Sequence, residues 1–494
     1  MELLPILIVL GVITYFIVKR SVATITQTPV WVFWLVMMAP ALIWSAWWLI
    51  FEDRPMPIFL AIAPFILCPL LYWWLIQIGR PTSEAKETAV EATGGNNNPE
   101  IEKPKEGSST LPPITATEEV TLRNCFPWSI YYLQHIDYRP QAILCRGKLR
   151  SIPEVAYQTI KENVERAFGD RFLLIFQENF QGQPFFALVP NPWAKTPQKS
   201  EPEKLARPVF ALGLLLITFF TTTVIGAELS GVTTEKLETN ALLLLQGIPY
   251  SLGLIAILGF HELSHYLTAV YYKIRTTLPY FIPIPFFLGT FGAFIQMRSP
   301  VPHRKALFDV AIAGPLGGFL VTVPILIWGL LLSHTVPIAE NSNLLSFQSL
   351  DPRFSFLFAV LGKLALGTKL VPGVAIHLHP LAVAGYVGLI VTALNLMPVG
   401  QLDGGHIVHA MYGQRTASII GQLTRLLVLL LAMIKTDFLL WAIILFLMPV
   451  IDQPALNDVT ELDNKRDFLG LLSLLLLIVI LVPLPGAVAG WLNI

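Results

Sequence analysis

The sequence predicts a polytopic α-helical membrane protein that also carries a small soluble α+β domain. Of its 494 residues, 54% are hydrophobic and only 13% are charged, whereas charged residues make up about 25% of a typical soluble domain. The mean hydropathy is +0.62, and several apolar runs are long enough to cross a bilayer. The formal net charge is zero and no basic patch stands out, so the composition argues against a nucleic-acid partner.

The first 80 residues are predicted to form three transmembrane helices, and a linker follows them. Apolar segments cover residues 3–18, 29–51 and 57–78. Residues 81–118 are polar, contain Pro, Gly, Ser and Asn, and almost lack aromatic residues, a composition typical of a disordered linker. We expect no cleaved signal, because no positive charge precedes the first apolar segment, and the lack of an Arg-rich transit segment favours a prokaryotic chain.

Residues 119–200 change character and predict the small soluble domain. Residues 130–149 have the β-branched and aromatic composition of strands, and residues 153–170 have the spacing of an amphipathic helix with Pro153 in its first turn. The two apolar runs on either side of Gln181 and Gly182 predict a hairpin. A domain of about 80 residues can hold a modest core of its own.

Residues 205–494 are predicted to form a second membrane block with about seven helices. The expected spans are 207–226, 247–272, 306–332, 379–397, 418–434, 438–451 and 468–491. The apolar segment 279–296 contains three prolines and two glycines, which favours a re-entrant loop or short hairpin over a plain helix. Lys and Arg in the short loops place the small domain, and the loop after Tyr272, on the cytoplasmic side.

The most specific signal is His261-Glu262-Leu263-Ser264-His265, which lies inside an apolar run from Ile248 to Tyr272. Two histidines four residues apart project from one face of a helix and can bind one metal ion. Glu262 is then suited to act as a base on a zinc-activated water. Ionisable residues are costly within a membrane, which favours a function here over the alternative, two interfacial histidines paired with the glutamate.

Two histidines leave a catalytic zinc ion one protein ligand short, and Asp403 is the best candidate. It lies in Asn395-Leu396-Met397-Pro398-Val399-Gly400-Gln401-Leu402-Asp403-Gly404-Gly405, directly after a predicted span. On the predicted topology Asp403 reaches the cytoplasmic side at a depth similar to that of the histidines. The glycines and the proline would let the carboxylate turn inward.

Three further polar residues are weaker candidates. Asp309 begins a predicted span close to Arg304 and Lys305, so an ion pair with them is the simpler interpretation. His406 and His409 follow Asp403 and could support the metal ligands, although a solvated interfacial position is the stronger expectation.

These motifs together resemble the site-2 protease family of intramembrane zinc metalloproteases, and most closely its EGY-type branch of cyanobacteria and plastids. The resemblance covers residues 205–494 through HELSH, GTFGAFIQM, RKALFDVAIAGPLGG, NLMPVGQLDGG and ALNDVTELDNKRD. It implies a site-2-protease-like transmembrane core in which one Zn²⁺ ion is bound by His261, His265 and Asp403. It also implies that Glu262 is the general base and that Asn395 helps to hold substrate.

The resemblance also bears on several glycines. Gly314 and Gly318 match a small-residue motif of the next core helix, where relatives often carry Asn at the position of Gly318. We expect these glycines either to contact substrate or to permit close helix packing. Residues 286–296 are the candidate edge for an extended substrate, where Gly289 and Gly292 would allow close backbone approach.

The predicted function is hydrolysis of peptide bonds in or near the transmembrane segments of single-span membrane proteins. The alternatives are a proteolytically silent membrane scaffold and, with less support, a metal transporter, which would predict internal repeats. The expected location is the plasma or thylakoid membrane of a cyanobacterium-like organism, with the site towards the cytoplasm. No oligomeric state is predicted.

Overall fold

The computed structural model describes residues 28–51, 114–139, 142–179, 182–192, 208–338, 347–434, 438–449 and 451–494, with isolated positions between 11 and 75. The chain divides into two compact units, Met1–Ser108 and Ser109–Ile494. In the first unit, helix α1 (Val30–Phe51) is long and apolar enough to cross a membrane. The predicted spans 3–18 and 57–78 fall mainly, and linker residues 81–113 wholly, outside the described residues.

The second unit begins with a four-stranded antiparallel sheet and two helices. The elements are α2 (Ala116–Asn124), β1 (Tyr131–Arg139), β2 (Ala142–Leu149), α3 (Pro153–Phe168), β3 (Phe172–Glu178) and β4 (Pro184–Pro190). The strand order is β1-β2-β4-β3, and the rings of Phe176 and Phe186 stack within the core beneath α3. We call residues 114–192 the small domain.

The small domain starts earlier than the sequence predicts. The linker was expected to extend to residue 118, but α2 begins at Ala116. Thr115 and Glu118 form a capping box, in which each side chain accepts a hydrogen bond from the other residue's backbone N–H. This pair satisfies two N–H groups of the first turn and so fixes the helix start inside a polar stretch.

The remaining chain is mostly helical. Its helices are α4 (Pro208–Leu229), α5 (Thr234–Thr239), α6 (Ile248–Tyr271), α7 (Arg304–Leu331), α8 (Phe356–Leu366), α9 (Pro380–Leu396), α10 (Asp403–Ile434), α11 (Leu439–Leu447), α12 (Asn464–Leu481) and α13 (Gly486–Leu492). Two small antiparallel sheets interrupt them. One is the hairpin of β5 (Tyr280–Pro283) and β6 (Thr290–Phe294), and the other pairs β7 (His334–Pro337) with β8 (Val374–His377), two strands with α8 between them in the chain. Five of the described helices, counting α1, are long and apolar enough to span a bilayer.

The structure differs from three of the predicted spans. Helical residues precede the helix expected at 418–434, since they start at Asp403 and are interrupted at Gly413. The nine residues of α11 are too few to cross a hydrocarbon core about 30 Å thick, although residues 438–451 were expected to span it. The span expected at 468–491 is broken into α12 and α13, which meet at 79°, because Pro483 and Pro485 cannot continue the helix.

Helices α6, α7 and α9 pack together through small residues and form the centre of the membrane block. A Cβ atom at Gly385 of α9 would lie 2.7 Å from Cα of Leu326 in α7, and one at Gly253 of α6 would lie 3.0 Å from Cβ of Ala384. Close backbone approach of this kind is typical of helices packed within membranes. It brings the middle of α6 close to the ends of α7 and α9, where the candidate site lies.

Residues 279–296 form a β-hairpin beside these helices. Phe281 pairs with Ala293 and Pro283 pairs with Thr290, with an irregularity between the two pairs. The hydroxyl of Thr221 in α4 donates to the carbonyl of Gly289 at 2.7 Å. The loop of the hairpin is therefore attached to α4, and β6 continues towards the start of α7.

Candidate metal centre

Helix α6 places His261 and His265 on one face, and both side chains are buried. Their Nε2 atoms lie 3.2 Å apart. The Nδ1–H group of His265 donates to the carbonyl of Val310 in α7 at 2.7 Å. That bond leaves the Nε2 lone pair of His265 free to bind a metal ion.

Asp403, the first residue of α10, completes a group of three converging side chains. Its Oδ2 atom lies 3.3 Å from Nε2 of His261 and 3.3 Å from Nε2 of His265. The turn before it is compact, since a Cβ atom at Gly404 would lie 2.0 Å from the carbonyl oxygen of Leu396. Glycine is therefore needed for the chain to fold back and direct Asp403 towards α6.

The spacing of these three atoms fits a zinc ion. Ligand atoms about 2.0–2.1 Å from zinc in tetrahedral geometry lie about 3.4 Å from one another. The observed separations are 3.2, 3.3 and 3.3 Å. Two imidazole nitrogens and one carboxylate oxygen are also a donor set found in catalytic zinc sites, where a fourth position stays open.

Glu262 lies next to this group and is 8% exposed. The backbone of Ile295, which directly follows β6, lies close to its carboxylate. A buried carboxylate beside a metal position is the arrangement required of a general base that acts on water. The site therefore combines a zinc-binding set, a base and a strand edge.

The comparisons with known proteins agree with this arrangement. The model of peptidase family M50 matches residues 249–434, which contain the converging residues His261, His265 and Asp403. The chain carries a peptidase family M50 domain. Peptidases of this family act on membrane-embedded substrates.

Curated relatives of this M50 peptidase are named as zinc metalloproteases. The protein named "Probable zinc metalloprotease EGY2, chloroplastic" from Oryza sativa subsp. indica is 29% identical over 82% of this chain and 73% of its own. The protein of the same name from Arabidopsis thaliana is 30% identical over 76% of this chain and 66% of its own. "Probable zinc metalloprotease EGY1, chloroplastic" from Arabidopsis thaliana is 36% identical over 48% of this chain and 43% of its own.

These findings confirm several of the predictions made from the sequence. The chain is a multi-pass α-helical membrane protein and a zinc metalloprotease of the intramembrane type, as the motifs indicated. The scaffold and transporter alternatives gain no support.

The structure brings Asn395, Gly314 and Gly318 of the M50 peptidase to the candidate site. Nδ2 of Asn395 lies 3.2 Å from Nε2 of His261. A Cβ atom at Gly314 would lie 2.0 Å from Nε2 of His265, and one at Gly318 would lie 3.2 Å from Cβ of His261. These contacts favour the packing interpretation of the two glycines.

The two hairpin glycines differ in their surroundings. A Cβ atom at Gly289 would lie 2.6 Å from Cα of Thr222, so this glycine packs on α4. Gly292 lies within β6 at a φ of +107°, and no atom lies within 4 Å of the position of a Cβ atom there. Of the pair, Gly292 is the one that leaves space along the strand.

Asp309 does form an ion pair, but the expected partners were wrong. Its carboxylate accepts two hydrogen bonds from Arg466 of α12, at 2.7 and 2.6 Å, and one from the hydroxyl of Tyr272 at 2.5 Å. Arg304 instead donates to the carbonyl of Ala410 at 2.8 Å, and Lys305 lies 3.4 Å from Glu154 of the small domain. The network at Asp309 ties the end of α6 to α7 and α12.

The expectation that His406 and His409 are solvated was also wrong. His409 is fully buried, and its two ring nitrogens face Asp452 at 2.6 Å and Asp458 at 3.1 Å. Nδ1 of His406 lies 2.8 Å from Asp452. Neither aspartate was predicted to contact these histidines, although Asp458 lies in the ALNDVTELDNKRD motif and Asp452 precedes it by six positions.

Proposed function

We propose that this M50 peptidase binds one zinc ion through His261, His265 and Asp403 and uses Glu262 as the general base for peptide hydrolysis. The observation that carries the proposal is the convergence of three ligand atoms at 3.2–3.3 Å. This spacing is the one that a tetrahedral zinc ion requires. The fourth position would remain for water and substrate.

The residues of the site have separate tasks. When bound, zinc would lower the pKa of a water ligand and polarise the scissile carbonyl. Glu262 takes a proton from the attacking water as the new C–O bond forms, and it then passes this proton to the amine nitrogen, which leaves as the peptide C–N bond breaks. With the Nε2 lone pair of His261 engaged, the nearby amide of Asn395 is free to donate to the substrate carbonyl.

The substrate we propose is the transmembrane segment of a single-span protein, locally unwound. A helix hides its carbonyl groups in i to i+4 hydrogen bonds, so the segment must open before hydrolysis. Strand β6 could hold the opened segment by strand addition, since among the described residues it pairs with β5 alone. Its end at Ile295 reaches Glu262, and Phe291 on β6 is 73% exposed.

The membrane setting is part of the proposal. We expected the plasma or thylakoid membrane of a cyanobacterium-like organism, but the relatives are named as chloroplastic, and these names favour a plastid membrane instead. The Lys and Arg bias of the loops supports a site near the side that carries the small domain.

The test is cleavage of a single-span model substrate by purified full-length protein in detergent. The wild type, Glu262→Gln and the wild type with a zinc chelator are compared, and the metal content of each is measured. We expect cleavage only by the untreated wild type, with about one zinc ion in both wild type and Glu262→Gln.

A matched substitution of an exposed residue, Glu235→Gln, should cleave as the wild type does. Retained cleavage by Glu262→Gln would overturn the assignment of the base. Lack of zinc in the wild type would overturn the assignment of the ligands.

A further inference from the structure

The helical segment that carries Asp403 is short and separated from the rest of α10. Gly413 has non-helical backbone angles, with φ 80° and ψ 163°. Residues 403–412 therefore form a helical segment of their own, which we call the ligand helix. Because a helix this short is not stable alone, its position depends on its contacts with other parts of the molecule.

One of these contacts is a buried clamp around His409. The imidazole ring is shielded from solvent, since His409 is 0% exposed. Nδ1 lies 2.6 Å from Asp452 and Nε2 lies 3.1 Å from Asp458. An imidazole with both nitrogens protonated can donate to both carboxylates, so one side chain links the ligand helix to two points of the loop that follows α11.

A second histidine of the ligand helix strengthens the same attachment. His406 lies one turn before His409, and its Nδ1 atom is 2.8 Å from Asp452. Burial alone would raise the pKa of Asp452, but the two facing histidines outweigh it and lower that pKa to about 2. Asp452 is therefore held as a carboxylate between two rings of one helix face.

The loop is itself held by hydrogen bonds on both sides. Phe176 of β3 donates to the carbonyl of Leu456 at 2.7 Å and accepts from the N–H of Asp458 at 2.9 Å. On the other side, Leu456 donates to the carbonyl of Val301 at 2.9 Å and Asn457 donates to that of Pro302 at 3.1 Å. Asn457 thus bridges β3 of the small domain and His303 at the start of α7, and we call residues 456–458 the joining strand.

The same end of α7 contacts the ligand helix directly. Arg304 is buried and donates to the carbonyl of Ala410 at 2.8 Å. Less than two turns further along α7, the carbonyl of Val310 accepts from His265. The joining strand, α7 and the ligand helix therefore meet at one place. The contacts made there orient two of the three ligand side chains, those of His265 and Asp403.

We propose that His409 is a positioning residue of the metal centre. By fastening the ligand helix to Asp452 and Asp458, it fixes where the carboxylate of Asp403 meets His261 and His265. Six residues of α-helix separate Asp403 from His409, a distance of about 9 Å, so a small tilt at the clamp displaces the carboxylate. A metal site tolerates displacements of only about 0.5 Å. The inference rests on the proposed zinc site.

The experiment compares full-length wild type, His409→Gln and Asp458→Asn in detergent. Zn²⁺ affinity is measured by competition with a chelating dye, and the d–d absorption of Co²⁺ added to metal-free protein reports the ligand geometry. We expect both variants to bind Zn²⁺ about 10- to 100-fold more weakly, as is usual when a residue that supports a metal ligand is lost. The Co²⁺ spectrum should also change, although neither residue is a ligand.

His334→Gln, in strand β7, is the matched histidine control and should leave both readouts unchanged. The thermal unfolding of the metal-free proteins identifies a variant that fails to fold. If His409→Gln fails to fold, the isosteric Asp458→Asn serves as the test. Wild-type Zn²⁺ affinity and Co²⁺ spectrum in a folded variant would overturn the proposal.

Failure of the zinc site itself has a different signature. If the wild type bound Zn²⁺ no more tightly than His265→Ala, the proposed function would fail, and the role of His409 with it. Weak binding confined to the His409 and Asp458 variants supports the role of the clamp.

Discussion

Gly314 lies directly against the imidazole of His265, with room for no side chain between them. A Cβ atom at this position would come within 2.0 Å of Nε2, the atom that faces Asp403. A Cβ atom at Gly318, one turn along α7, would lie 3.2 Å from Cβ of His261. The two glycines of one motif thus differ in how much space a side chain would have. Only Gly314 must be glycine for a candidate metal ligand, His265, to keep its position.

We expect Gly314→Ala to lose zinc, because the new methyl group must push His265 away from Asp403. Gly318→Ala should keep its zinc, since a shift of a few tenths of an ångström at His261 accommodates the methyl group. Metal analysis of the two purified variants provides the test. A full zinc content in Gly314→Ala would show that the site forms elsewhere or in another arrangement.

Asn395→Ala should retain zinc but lower kcat. The amide of Asn395 lies beside the proposed metal position, where it can donate to the oxygen that gains charge during hydrolysis. Loss of one such donor typically costs a factor of about 100 to 1,000 in kcat. Steady-state kinetics with the single-span substrate and metal analysis are measured together, with a substitution of the exposed Asn240, Asn240→Ala, as control. Loss of zinc would instead assign Asn395 to holding His261.

Gly292→Ala should impair cleavage without affecting zinc. The φ of +107° is unfavourable for any residue with a side chain and costs about 1–3 kcal/mol, so β6 must change shape at the proposed substrate edge. Gly213→Ala in α4 has open space and an ordinary backbone and serves as control. If both variants cleave the membrane substrate at the wild-type rate, β6 does not hold the substrate.

Arg466→Lys should lower stability and leave the zinc site intact. Lysine cannot form the two parallel hydrogen bonds that Arg466 makes to Asp309. The pair is partly exposed, so the expected loss is about 1 kcal/mol, seen as a decrease of roughly 2 °C in Tm. The control is Arg123→Lys, which alters an exposed pair within α2 and should change Tm less. A loss of zinc would mean that Asp309 also positions His265.

The residues proposed to bind zinc could be predicted because their signals are local. His261 and His265 are related by helical spacing, and the glycines and proline near Asp403 predict a turn at the right depth. The three side chains do converge in the structure. Their role in binding zinc stays a prediction until metal is measured.

The supporting contacts could not be predicted because they join distant parts of the chain. Asp309 and Arg466 are 157 residues apart, and His409 and Asp458 are 49 apart. Such pairs depend on how helices pack, which a single sequence does not specify. Local charge proximity instead suggested Arg304 and Lys305 as partners of Asp309, and general polarity suggested a solvated His409.

The limits of the helices were misjudged for a related reason. The predicted span 418–434 follows the apolar residues and so leaves out the polar ligand helix before the break at Gly413. The histidines of that helix face Asp452, which lies in another loop. Prolines and glycines correctly indicated that residues 279–296 do not form a plain helix. The pairing of Phe281 with Ala293 was not evident from the sequence.

The joining strand also determines the smallest piece of this chain that can be expected to fold. The M50 match ends at residue 434 and begins at 249, which suggests a catalytic fragment that could be produced alone. Such a fragment would lack both Phe176 and the joining strand, so the carbonyl groups of Val301 and Pro302 would lose the N–H groups of Leu456 and Asn457. His409 would also lose both carboxylates that hold the ligand helix. Truncations intended for crystallisation or assay should therefore keep residues 114–192 and 451–463 together with the M50 region.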